Sequence, residues 1–126
     1  RLLASAALWR NVYVGEYVRT DGSKVAGPSL SALVAEKNEA ADSELKTNLD
    51  ATLAAMEVIA KRAEGGEAYD QMIGEGNAEG NAVVQAAIDG LVTQTKSIER
   101  AIAALDLGAI ELEGSDSLDK PDAVFQ

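Results

Sequence analysis

Two long stretches of this chain repeat apolar residues every three or four positions, and only a short glycine-rich segment separates them. The first runs from Asn38 to the Gly65-Gly66 pair and places Leu45, Leu49, Leu53, Met56, Ala60 and Ala63 on one side. The second runs from Asn81 to Asp106 with Val84, Ile88, Leu91, Thr95, Ile98, Ile102 and Leu105 in line, and Gly108 stands where a C-cap glycine is expected. This period is that of an amphipathic helix. Asp50, Glu57, Lys61 and Glu64 populate the polar side of the first run, where Asp42 to Lys46 and Glu57 to Lys61 have the favoured acid-first spacing. Gly90, inside the second run, is either a mild liability or a point of close packing. No strand-like alternation of useful length occurs. The pattern predicts an all-α, up-and-down bundle of three substantial helices with one or two short ones.

The third substantial helix is the opening segment, RLLASAALWRNVYVGEYV, in which twelve of eighteen positions are apolar and only Arg1, Arg10 and Glu16 are charged. Leu2, Ala6, Trp9, Tyr13 and Tyr17 form one stripe, with Leu8 and Val12 off it. A helix this apolar requires cover on more than one side. It begins without Met and inside its own periodic pattern, so the chain reads as truncated at Arg1. Thr20-Asp21-Gly22-Ser23 must end the helix, and the Asp-Gly pair between Val18 and Val25 signals a tight turn with a small hairpin about it. Gly27-Pro28-Ser29 then opens a short helix through Leu30, Leu33 and Val34. Tyr69, Met72 and Ile73 make a brief apolar cluster before a loop from Gly74 to Gly80. The final residues carry Glu111, Glu113, Asp116, Asp119 and Asp122 against Lys120 alone and read as an extended acidic tail over the helices.

Composition narrows the function classes. At 126 residues, 47% hydrophobic and 25% charged, one domain with a modest core is expected. The net charge of −10 repels phosphate backbones, so nucleic acid is excluded as a natural partner. The longest uncharged stretch, Val25 to Ala35, contains Pro28 and is far too short to span a bilayer. There is no cysteine and no histidine. Thiolate nucleophiles, imidazole-assisted triads and His-containing zinc sites therefore cannot be built from this chain, which leaves oxygen-ligand metals and carboxylate pairs.

Most apparent motifs dissolve on inspection. Gly74, Gly76 and Gly80 have the wrong spacing for a phosphate loop, and Glu75 and Glu79 would repel the phosphate. Asp116, Asp119 and Asp122 lack the spacing and central glycine of a calcium loop. No carboxylate pair stands out from the acids on polar helix faces, and adjacent Lys96 and Ser97 point apart on a helix. One constellation remains: Arg10, Tyr13 and Tyr17 on the apolar opening helix, with Asn11 and Glu16 beside them. An arginine there must find an anion or carbonyls. Two readings stand side by side, a ligand site or a structural pairing with a carboxylate such as Glu16 while the tyrosines anchor the core. Gln94 and Lys96 are weaker candidates.

The run LWRNVYVGEYVRTDGSKVAGPSLSALV, followed in order by EAYDQMI, GNAEGN, LVTQTKSIERAIAALDL and LEGSDSLD, resembles the C-terminal half of the imelysin family. That family includes insulin-cleaving metalloproteinase-like and iron-regulated proteins of the bacterial periplasm or outer membrane. The resemblance implies a two-domain protein of paired four-helix bundles, a GxHxxE motif in the N-terminal half and a functional site where the halves meet. This chain has no histidine, so residues 1–126 are expected to be the C-terminal bundle, with any metal ligand and peptidase chemistry in the other half. RNVYVG then places Arg10, Asn11, Tyr13 and Gly15, with Tyr17 just beyond, at an inter-domain or ligand site, and the SDSLD segment near the end of the chain is the other stretch the resemblance carries over.

Three functions follow as expectations. The first is a ligand-binding or metal-handling extracytoplasmic protein, tied to iron uptake by the resemblance alone, whose partner is the N-terminal half and whose metal, a cofactor of the whole protein, is not held by this chain. The second is a metallopeptidase with its catalytic groups in that other half. The third is a purely structural helical interaction module.

Overall fold

The computed structural model describes residues 2–107. Gly108, the acidic tail and the SDSLD segment lie outside the described residues. In chain order the elements are α1 (Leu2–Val14), β1 (Glu16–Val18), β2 (Lys24–Ala26), α2 (Leu30–Lys37), α3 (Glu39–Glu64), α4 (Tyr69–Met72) and α5 (Ala78–Ala104). The fold is the all-α bundle expected from the periodicity, with one two-stranded ribbon added.

That ribbon corrects the reading of the opening segment. The apolar pattern carries helix through Val18, yet α1 ends at Val14 because Gly15 takes a left-handed φ of +68°. A side chain there would place its Cβ 2.7 Å from the Ser29 Cβ and 2.9 Å from the Gly27 carbonyl oxygen, so only glycine lets the chain reverse here. The Gly27 amide closes the reversal by donating to the Gly15 carbonyl at 3.0 Å. Glu16, Tyr17 and Val18 then pair antiparallel with Ala26, Val25 and Lys24. Asp21 organises the turn between them, accepting from the Ser23 amide at 2.8 Å and its hydroxyl at 2.6 Å. Tyr17 thus leaves the helical stripe and stands exposed on a strand.

Side-chain caps set the remaining helix starts. Ser29 accepts from the Ala32 amide at 3.1 Å to open α2, and Asn38 accepts from the Ala41 amide at 3.1 Å to open α3 directly after α2 ends. A second correction concerns Gly74–Gly80: α5 begins at Ala78, because Asn77 caps it by accepting from the Gly80 amide at 2.9 Å. The same asparagine donates to Glu67 at 2.7 Å and to the Gln71 carbonyl at 2.8 Å, while Asn81 donates to the Met72 and Gly74 carbonyls, each at 3.1 Å. Gly80 sits so close to α4 that an added Cβ would lie 2.6 Å from the Met72 carbonyl oxygen. The GNAEGN run is therefore a helix cap and a fastening for α4.

The antiparallel pair α3 and α5 forms the centre, with α1 and α2 packed on α3 and the ribbon attached to the end of α1. Their mutual seam is built from small and polar residues. Gly90 approaches Thr52 closely enough that a Cβ would stand 3.0 Å from its hydroxyl, which settles its role as a packing point. Thr52 donates to the Asn48 carbonyl at 2.9 Å, and Asn48 donates to the Ser97 hydroxyl at 2.6 Å. At the end of the seam the Arg100 Nε donates to Glu44 at 3.0 Å. On α5 the deeply buried residues are Gly80, Val84, Ala87, Gln94, Ser97 and Ala101. Their mean direction is rotated by roughly 60° from the apolar stripe read in the sequence, taking the 3.6-residue helical period. Apart from Val84, which belongs to both sets, the stripe itself faces elsewhere.

Candidate functional site

It faces a trough. Helices α1 and α5 both pack on α3 and scarcely on each other, so the space between them is open along the apolar side of α3. From Leu45 to Ala63 the floor runs about 27 Å at 1.5 Å per residue. The near end is a cleft of about 150 Å³ bounded by Trp9, Val12 and Tyr13 of α1, Leu30 and Val34 of α2, Leu45 and Leu49 of α3, and Ile98, Ala101, Ile102 and Leu105 of α5. The far end is a wider groove of about 530 Å³ between Leu3, the α3 residues Met56, Ile59, Ala60 and Ala63, Tyr69 of α4, and Val84, Ala87, Ile88 and Leu91 of α5. Every lining residue in both is apolar or tyrosine. Trp9 is 64% exposed and Ile88 46% exposed. Apolar clefts of this kind, with large side chains exposed at their rims, mark binding or docking surfaces on a folded chain.

The near wall of the trough is held by a buried carboxylate that the sequence reading did not single out. Asp42, in the first turn of α3, is 2% exposed. Its Oδ1 accepts from the Tyr13 hydroxyl of α1 at 2.9 Å and from the Ser31 hydroxyl of α2 at 2.6 Å. The Lys46 ammonium lies 2.6 Å from its Oδ2, the acid-first pair expected from the spacing. Burial by itself disfavours the charged carboxyl, but hydrogen bonds from Lys46, Ser31 and Tyr13 outweigh it and hold Asp42 below the ordinary aspartate range. Tyr13 is pushed the other way, above the ordinary phenol value, first by burial and then by its bond to the Asp42 carboxylate. Asp42, Leu45 and Leu49 share one helical face at three- and four-residue spacing, and that register was the available signal.

The expected site residues are spread rather than gathered. Arg10 pairs with Asp50 of α3, not with Glu16, and Glu16 pairs instead with Lys24 across the ribbon at 2.8 Å. Tyr13 points down into the Asp42 junction. Asn11, Gly15 and Tyr17 border a shallow open cleft of about 290 Å³ with Leu8, Val12 and Glu16. Arg10 and Tyr13 line the α3-facing side of α1, so the five residues do not converge on one cavity. Gln94 is buried, on the side of α5 turned towards α3, and Lys96 is exposed.

Among the described residues there is no group of three or more His, Cys, Asp or Glu placed to hold a metal ion, and Asp42 is saturated by hydroxyl and ammonium donors. These residues do not fit a metal centre. Nor is any helix of the described residues long and apolar enough to cross a membrane.

The imelysin family model matches residues 5–98, about three quarters of the chain, and the chain belongs to the imelysin family. No curated protein matches it.

Proposed function

We propose that residues 1–126 are one bundle of a two-bundle imelysin-like protein of the bacterial periplasm or outer membrane, and that the trough is where the GxHxxE-containing half seats. A ligand of the whole protein binds at that seam, any metal takes its ligands from the other half, and the iron connection comes from the family resemblance. The observation that supports this reading is the stripe of α5: Ile88 and Leu91 line an open trough and stay partly in water, while Gly80, Gln94 and Ser97 on the adjacent side are buried. Hydrophobic burial is the main drive of stable association, and a stripe left unburied by its own chain is an interface in waiting.

The test is mixing. The GxHxxE-containing half, titrated into this chain and followed by calorimetry, is expected to bind one to one, and Val12→Glu with Leu91→Glu is expected to weaken binding by at least about 100-fold, since two charges would be desolvated without partners. Full binding by that double variant would overturn the docking surface. Metal analysis of both pieces follows directly: stoichiometric metal on this chain alone would contradict the placement of the ligands.

A further inference from the structure

We propose that Asp42 is the joint that sets the width of the trough. One wall is an arm of α1 and α2, which touch each other and each pack on α3; the other wall is α5, packed on the same helix. Among the described side chains of α1, Tyr13 is the only buried one, and it ends on Asp42. From α2, Ser31 ends on the same oxygen. Arg10 and Asp50 make a second link, but the Asp50 side chain is largely in solvent, where an ion pair fixes geometry weakly. Apolar contact is non-directional, so it holds the arm near α3 without choosing its angle. Hydrogen bonds to a buried carboxylate do choose it, and a carboxylate at this depth cannot release its donors without being left uncompensated. One side chain of α3 therefore positions Trp9 and Val12 opposite Ile98 and Ile102. The proposal rests on reading the trough as a docking surface, yet the joint can be tested without a partner.

The chain has no cysteine, so Leu8→Cys on α1 and Val92→Cys on α5 place two spin labels at exposed sites on opposite walls. Pulsed dipolar spectroscopy on this pair is expected to give one narrow distance. Adding Asp42→Ala is expected to broaden the distribution and move it to longer distance, Tyr13→Phe to do so partially, and Asp50→Ala to leave it narrow. A narrow, unshifted distance in Asp42→Ala with native far-ultraviolet dichroism would overturn the joint. If Asp42→Ala does not fold, Tyr13→Phe combined with Ser31→Ala decides, and an unchanged distribution there overturns it equally. An altered distance together with full binding of the partner half by Val12→Glu/Leu91→Glu would sink the docking reading alone. An unchanged distance with binding lost would sink the joint alone.

Discussion

The two ends of the trough share a floor and a wall yet differ in almost everything else. At the near end α1 and α2 close over α3, Leu45 is 2% exposed, and Tyr13, Ser31 and Lys46 converge on one carboxylate. At the far end only Leu3 of α1 reaches the groove, and Ile88 and Leu91 stay partly in water although they continue the same α5 stripe. The difference shows that the hydrophobic pattern of a helix records everything it will bury, including surface that its own chain leaves open.

The sharpest way to break the comparison is to delete equal chemistry from both ends. Leu45→Ala removes a side chain packed on every side and is expected to cost about 2–5 kcal/mol in urea denaturation. Ile88→Ala is expected to cost less than about 1 kcal/mol in this chain, because much of its surface is already in water. Equal losses would mean that the far end is sealed in solution. A related substitution tests the corner below the groove: Gly80→Ala drives a methyl into the Met72 backbone and is expected to cost about 1–3 kcal/mol by the same measurement.

At the near end both an acid and a base limb are expected. Asp42 is held below its ordinary range in the folded state, so its contribution is present above the unfolded aspartate value of 3.8 and is lost as pH falls through the folded value. Tyr13 is shifted upward, so its contribution is complete below the unfolded value of 10.0 and declines as pH rises beyond it. Thermal unfolding across pH is expected to show both limbs, the acid one shared with Glu67, whose carboxyl is lowered by Arg62 and Asn77. Tyr13→Phe is expected to remove the alkaline limb attributable to that phenol. A limb of unchanged size in Tyr13→Phe would assign it to other groups.

The element order was largely legible because long helices announce themselves by period, and Asn38, Ser29 and the Asp21-Gly22 turn announce their own roles. What escaped has physical reasons. Gly15 reads as an ordinary glycine until Ser29 and Gly27 are seen against it, so the apolar pattern carries the helix four residues too far. The partners of Arg10 and Tyr13 lie on α3, 40 and 29 residues away, and a single sequence shows no such pairing. Within α5 the sequence identified the apolar stripe correctly, but burial went first to Gly80, Ala87 and Ser97, because small residues let two backbones approach. The candidate site was therefore half visible: its greasy wall was readable, and the carboxylate that braces it was not.

The mildest test concerns the outer fastening of α1. Arg10 and Asp50 meet at the surface, with side chains 30% and 57% exposed, so solvent screens their attraction and side-chain ordering offsets part of it. Asp50→Ala is expected to change stability by no more than about 1 kcal/mol, and the effect is expected to fade further in molar salt. Asp42 and Asp50 lie two helical turns apart on α3, both are carboxylates, and both receive a side chain from α1. A loss at Asp50 as large as that of a buried group would mean that α1 is clamped along its whole length. A small, salt-sensitive loss would leave the end at Tyr13 as the fixed point about which the wall of the trough is set.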